Sequence, residues 1–235
     1  MGRAFEYRKA TKLKRWANMS KTFTRIGKEI TMAVKEAGDN PRNNLRLRMA
    51  IQNAKAANMP KDNIERAIKK ATSKEQADYK EVIYEGYAPH GIAVLIETAT
   101  DNHVRTVANI RSIFNKYGGS LGTQGSVDFM FERKCFIKIE KPEMDIDELE
   151  LELIDYGAEE VFADGDEVMI YGAFADFGAL TAAVEERGLN VVTTGFERVP
   201  MDLKELSDEE KAEVETVLEK LEEDDDVQYV FTNMK

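Results

Sequence analysis

Residues 135–199 read CFIKIEKPEMDIDELELELIDYGAEEVFADGDEVMIYGAFADFGALTAAVEERGLNVVTTGFERV, and this stretch decides the fold. In CFIKIE (135–140) apolar and polar positions alternate, the mark of a strand with one buried face. MDIDELELELIDYG (144–157) returns its apolar residues at helical spacing and stops at a glycine. AEEVFA (158–163) and DEVMIYG (166–172) are two strands around the Asp164-Gly165 turn. A second helix covers 175–188, and LNVVTTGFERV (189–199) is a closing strand. The order β-α-β-β-α-β is the ferredoxin-like pattern.

The flanks contain units that are incomplete on their own. YKEVIYEGY (79–87) and GIAVLIETAT (91–100) read as strands joined by the turn Ala88-Pro89-His90-Gly91. DNHVRTVANIRSIFNKYGG (101–119) is a helix, and SVDFMFE (126–132) a third strand. This β-β-α-β unit lacks a second helix and a last strand. Residues 202–235 hold one acidic helix (207–222) and one strand, VQYVFTN (227–233), which needs a sheet to join. The tail is therefore expected to return to the middle unit, leaving the ferredoxin-like unit inserted within it.

Upstream lie three helices. Ser20 can cap the first, which stops near residue 37 at Gly38; residues 45–57 form the second; Pro60 opens the third, which runs to residue 71. Residues 1–19 are basic and weakly patterned, so they read as an arm or a frayed helix outside the core. The expected class is α+β: an N-terminal three-helix module plus two α/β-sandwich domains, one ferredoxin-like. Expected boundaries are 1–78 for the basic helical domain with its arm, 79–133 with 202–235 for the middle domain, and 134–201 for the insert.

The 235 residues suit two or three compact units of roughly 100 residues each. Hydrophobic content of 43% and a mean hydropathy of -0.47 are those of a globular chain, with no run suited to spanning a bilayer. The start has no apolar segment with a cleavage site, and the single cysteine, Cys135, has no internal disulfide partner. A cytoplasmic location is expected.

The net charge of -11 conceals its distribution. Residues 1–80 hold 20 Lys and Arg against 8 Asp and Glu, a balance of +12, whereas residues 81–235 hold 13 against 36, a balance of -23. Such an asymmetry suggests a basic module for a polyanion on an acidic body. On a helical wheel the first helix gathers Phe23, Ile26, Ile30, Ala33, Val34 and Ala37 on one side and Lys21, Arg25, Lys28 and Lys35 on the other. The third, within AANMPKDNIERAIKKA (56–71), turns Ile64, Ala67, Ile68 and Ala71 inward and Arg66, Lys69 and Lys70 outward, with Lys61 at its start. Arg46, Arg48 and Lys55 lie on the margins of the second. Lysine and arginine are ordinary on a solvated helix face, but such faces usually mix signs to gain i,i+4 pairs. A face with four cations and no acid reads as a nucleic-acid-binding surface that grips phosphate. Lys12, Lys14 and Arg15 extend it, and Trp16 either stacks on a base or packs the arm.

Thr100-Asp101-Asn102-His103 resembles a catalytic group but sits where a strand becomes a helix, so Thr100 or Asp101 reads as an N-cap. With His90, His103 and one cysteine there is no metal-ligand spacing, and no cofactor is expected. GGSLGTQGS (118–126) lacks the Lys-Ser/Thr of a phosphate loop and reads as a helix stop and return. No catalytic residue is assigned; an enzyme centred on Asp101, His103 and this loop is the weaker alternative. A monomer is favoured over an oligomer.

AANMPKDNIERAIKKA (56–71), YEGYAPHGIAVLIE (84–97), TDNHVRTVANIRSIFNKYGGSLGTQGSVDFMFE (100–132) and LEEDDDVQYVFTN (221–233) together resemble the YebC/PmpR family over nearly the whole chain from Phe23 onward. That resemblance implies a three-domain α+β protein without known catalytic activity. It implies either a DNA-binding regulator of transcription or a ribosome-associated factor that helps translation through proline-rich stretches. The arm, with Gly2-Arg3-Ala4-Phe5 and Lys14-Arg15-Trp16, departs from the family's usual start.

Overall fold

A computed structural model describes residues 2–11, 19–73 and 78–235. It contains two four-stranded antiparallel sheets and a three-helix module. The first sheet has the order β3-β1-β2-β8, built from β1 (Lys80–Ala88), β2 (Ile92–Thr100), β3 (Ser120–Leu121) and β8 (Val227–Thr232). Helices α5 (His103–Lys116) and α8 (Asp208–Glu222) cover one face, burying Val94, Ile96, Ile110, Phe114, Val214, Val217 and Leu221. The second sheet has the order β5-β6-β4-β7, from β4 (Phe131–Glu140), β5 (Ala158–Asp164), β6 (Glu167–Ala173) and β7 (Val191–Pro200). Helices α6 (Ile146–Ile154) and α7 (Phe177–Glu186) lie over a core that includes Ile137, Ile139, Leu149, Leu153, Ile170 and Leu180.

This is the ferredoxin-like unit, and it lies in the chain between β3 and β8 of the first sheet. The tail strand β8 pairs antiparallel with β2, placing Phe231 opposite Leu95 and Val230 opposite Ile96. The remaining faces of the two sheets meet through Ala93, Leu95 and Phe231 on one side and Met169, Tyr171 and Val199 on the other.

Residues 3–11 differ from the expected loose arm. They form α1 (Arg3–Thr11), whose Ala4 and Tyr7 are buried in the cluster between the sheets. The backbone N–H groups of Ala4 and Phe5 donate to the Glu160 carboxylate, each at 3.3 Å. An anion at a helix start is favoured by the helix dipole. Phe5 meets Phe162 edge to face at 5.0 Å.

Residues 126–132 also differ from the expected third strand. The Glu85 carboxylate accepts from the backbone N–H groups of Gly125 (2.6 Å), Val127 (2.7 Å) and Asp128 (2.8 Å), gathering the chain into a turn. A short 3-10 turn follows at Asp128–Met130, and Phe131 begins β4 in the other sheet. Burial would raise the pKa of Glu85, but these three backbone donors outweigh it and hold the group below the usual carboxylate range.

The helical module consists of α2 (Met19–Ala37), α3 (Leu45–Ala56) and α4 (Lys61–Ala71) around Ile26, Ile30, Ala33, Val34, Leu47, Ala50, Ala54 and Ile64. Fully burying side chains the size of Ile30 and Leu47 contributes about 1.5–3 kcal/mol each. The α2 helix starts before Ser20 and ends at Ala37, and the φ of +86 at the following Gly38 suits a residue without Cβ. Asn44 joins two helices: its Oδ1 accepts from Leu47 N at 3.0 Å, and its Nδ2 donates to the carbonyls of Ala33 (2.7 Å) and Gly38 (2.8 Å). Asn44→Ala should cost about 2 kcal/mol, more than a lone cap, because buried carbonyls lose a donor as well. Urea unfolding measures this; a loss below about 0.5 kcal/mol would contradict the joining role.

Candidate nucleic-acid interface

The expected basic face on α2 does not face solvent along its length. Lys28 is only 8% exposed. Its Nζ donates to the carbonyls of Ala99 (2.9 Å) and Asp225 (2.8 Å) and to Asp226 Oδ1 (2.9 Å), which accounts for all three ammonium protons. The Tyr79 ring lies 4.9 Å from the same nitrogen. Lys28 is therefore corrected from a phosphate-binding residue to a buried tie between the helical module and the first sheet.

Its neighbours lean the same way. Arg25 Nη2 donates to the Glu222 carbonyl at 3.4 Å. Glu223 is held below the usual carboxylate range by its hydrogen bond to Lys220, with Lys21 adding to the effect. Lys35 pairs with Asp78 at 3.5 Å. The cations on α2 are thus matched by acids and carbonyls of the body, above all by residues 222–226.

Asp226 is the centre of this seam. Its carboxylate accepts from Lys28, from Arg105 Nη2 (2.7 Å), from Thr106 Oγ1 (2.8 Å) and from Thr100 Oγ1 (3.1 Å). Burial opposes the charged form, but these donors and the Lys28 charge prevail and bring its pKa down to about 2. The backbone carbonyl of Asp226 accepts from Ala99 N at 2.8 Å. Thr100 and Asp101 do not cap α5: Asn102 does, its side chain accepting from Arg105 N at 3.1 Å. Thr100 is engaged with Asp226, and Asp101 pairs with Arg105 at 2.9 Å. His103 is exposed in the first turn of α5, and its backbone carbonyl accepts from the Tyr84 hydroxyl at 3.3 Å. Burial pushes the Cys135 thiol up to about 11, so it is protonated at neutral pH.

The α3 helix is tied down at the other sheet. Asn53 pairs with the backbone of Thr194 on the open edge of β7, its Nδ2 donating to the carbonyl at 2.8 Å and its Oδ1 accepting from the N–H at 3.1 Å. Gln52 Nε2 donates to the Val191 carbonyl at 2.7 Å. These side chains satisfy a strand edge that would otherwise be available to another chain. Arg46 binds Glu36 at 2.8 Å and also Glu81, and Arg48 reaches Glu185 at 3.7 Å.

What remains outward is α4 and the end of α3. Lys55, Arg66, Lys69 and Lys70 are exposed, and among the described residues none of them pairs with a carboxylate. The Arg66 guanidinium bonds within its own helix, to the Asp62 carbonyl (3.2 Å) and to Asn63 Oδ1 (2.6 Å). Lys61 pairs with Glu65 at 3.5 Å where both side chains are mostly exposed, a contact of little energetic weight. Lys12, Lys14, Arg15 and Trp16 lie outside the described residues. The acid partners of α2 were missed in sequence; the signal for them was the run LEEDDD at 221–226, whose charge complements the helix.

These features describe a basic helical module anchored on a pair of acidic α/β sandwiches, with one cationic helix left facing outward. The chain belongs to the TACO1/YebC family: residues 3–74 match the TACO1/YebC protein N-terminal domain, and residues 79–234 match the TACO1/YebC second and third domain. It is 63% identical to a "Probable transcriptional regulatory protein" of Flavobacterium johnsoniae, over all of this chain and 99% of that one. A Cytophaga hutchinsonii protein of the same description is 54% identical, over all of this chain and 98% of that one. The crystal structure of a conserved hypothetical protein from Aquifex aeolicus superposes with a TM-score of 0.79 at 37% identity, covering 94% of this chain and 97% of the other. Among the described residues no helix is long and apolar enough to cross a membrane.

Because the folded pKa of Asp226 lies below its ordinary value of 3.8, its contribution to stability is complete above about pH 4 and is lost as pH falls through about 2. Lys28→Met should cost about 3 kcal/mol by leaving buried acceptors unmatched. The stability gap between wild type and Asp226→Asn should be about 2 kcal/mol at pH 6 and should close between pH 4 and 2. Denaturant unfolding across that range measures both, and a gap independent of pH would contradict the assignment.

Proposed function

We propose that this protein is a non-enzymatic regulator that binds nucleic acid, a DNA-binding regulator of transcription that docks on phosphates through its N-terminal helical module. One observation carries the reading: Lys55, Arg66, Lys69 and Lys70 face outward without carboxylate partners among the described residues, whereas the cations of α2 and the start of α3 are matched by the body. An unmatched cationic helix is suited to phosphate oxygens, and releasing their counterions supplies affinity without reading bases. Lys69 and Lys70 lie in the last turn of α4, where the helix dipole also favours positive charge. The acidic exterior of α8 repels a polyanion and confines contact to the basic side. The names of the relatives agree with a regulatory role.

The test separates docking from folding. Arg66→Glu/Lys69→Glu/Lys70→Glu should leave thermal stability nearly unchanged and weaken duplex DNA binding strongly, and the log-log salt slope should become shallower by about 0.9 per phosphate contact removed. Lys21→Glu/Arg25→Glu should instead lower the melting temperature through the seam with residues 222–226. Fluorescence anisotropy and thermal melts read the two effects. Unchanged DNA affinity in the α4 variant would refute the proposal, as would co-sedimentation with ribosomes by a protein that does not bind duplex DNA.

A further inference from the structure

Arg133, on the acidic body, is a further cation without an acid partner among the described residues. It is exposed on β4, and among the described residues its guanidinium makes no hydrogen bond and no ion pair. Its Cζ lies 3.8 Å from the centre of the Phe174 ring and 5.5 Å from that of Phe196. The rings support one another: Phe174 is 4.8 Å from Phe196, and Phe196 is 5.2 Å from Phe177 in an edge-on contact. Phe177, the first residue of α7, is buried in the second sheet's core, so the platform is rooted there, while Phe174 is 40% exposed.

The surrounding charges are already engaged with one another. Arg198, directly across the β4–β7 ladder from Arg133, binds Glu97 at 3.0 Å and Asp128 at 3.1 Å. Arg46 of the helical module binds Glu81 and Glu36. Burial lowers the pKa of Arg133, opposed by Glu97, with Arg198 and Arg46 lowering it further and Glu81 raising it. An arginine remains protonated at neutral pH despite such a shift. The result is a planar cation resting on an aromatic ring, with its N–H donors unspent among the described residues and with the like charge of Arg46 disfavouring it only weakly beside the burial effect.

We infer that Arg133 and Phe174 form a contact site for an unpaired nucleotide, the base stacking on the guanidinium–ring platform and the phosphate accepting from the free N–H groups. The guanidinium plane suits both roles, because it stacks on flat faces and forms paired hydrogen bonds to phosphate oxygens, whereas an ammonium does neither. A duplex keeps its bases stacked internally, so this platform selects single strands. The inference rests on the nucleic-acid reading above and adds to it the form of the ligand.

The test uses the full-length protein with fluorescent 20-nucleotide single-stranded RNA, single-stranded DNA of the same sequence, and the DNA duplex. Arg133→Ala and Arg133→Lys should each weaken binding of at least one single strand by about tenfold or more, in keeping with the loss of one stacked base, and leave duplex affinity within about twofold. Phe174→Leu should behave alike, with thermal melts confirming that all three variants fold. Single-strand affinity equal to wild type in Arg133→Ala, full rescue by Arg133→Lys, or equal losses on duplex and single strand would each overturn the site. Wild type that binds duplex but neither single strand would overturn it while leaving the α4 reading intact. Loss of all binding in the α4 variant with Arg133 variants unaffected would do the same.

Discussion

The buried Lys28–Asp226 pair governs how the rest of the molecule is arranged. An ammonium and a carboxylate out of water cost several kcal/mol each unless every proton and lone pair is matched. Here they are: Lys28 spends three donors on Ala99, Asp225 and Asp226, and Asp226 collects Arg105, Thr100 and Thr106 besides. One side chain from the helical module thus engages the end of β2 and the turn before β8, and Asp226 in turn binds the start of α5. That geometry exists only when the C-terminal strand is home in the first sheet, so the module docks onto a completed sheet.

A second anchor fixes the orientation. Asn53 and Gln52 hydrogen-bond to the exposed edge of β7, so the module is held to one sheet through charge and to the other through edge hydrogen bonds. Two anchors on different helices leave little freedom to rotate. The helix that takes part in neither, α4, is left outward with its cations unmatched. Division of labour among the three helices lets a +12 segment adhere to an acidic body and still leave one cationic helix facing outward.

Much of this was legible in the sequence. The ferredoxin-like order followed from strict alternation and clean glycine stops in residues 135–199, and the return of β8 followed from a unit lacking a strand. Asn53 was not legible as an edge cap, because nothing local to α3 reveals which strand edge it will meet. The α2 stripe misled for a similar reason: Lys21, Arg25, Lys28 and Lys35 share a side without acids, yet their partners lie near residue 78 and at 222–226. Wheel geometry states which side a charge occupies, not what that side faces. Ala4 and Tyr7 carried too little periodicity in a short basic helix to announce burial between two sheets, and the turn at residues 125–128 depends on a carboxylate 40 residues earlier.

Amide hydrogen exchange of the full-length protein with and without saturating nucleic acid tests the division between anchoring and binding helices most directly. The account expects added protection in residues 55–71, with residues 21–35 and 222–226 unchanged because their contacts are already made in the free protein. Added protection in residues 21–35 with none in 55–71 would contradict it and return the binding face to the first long helix.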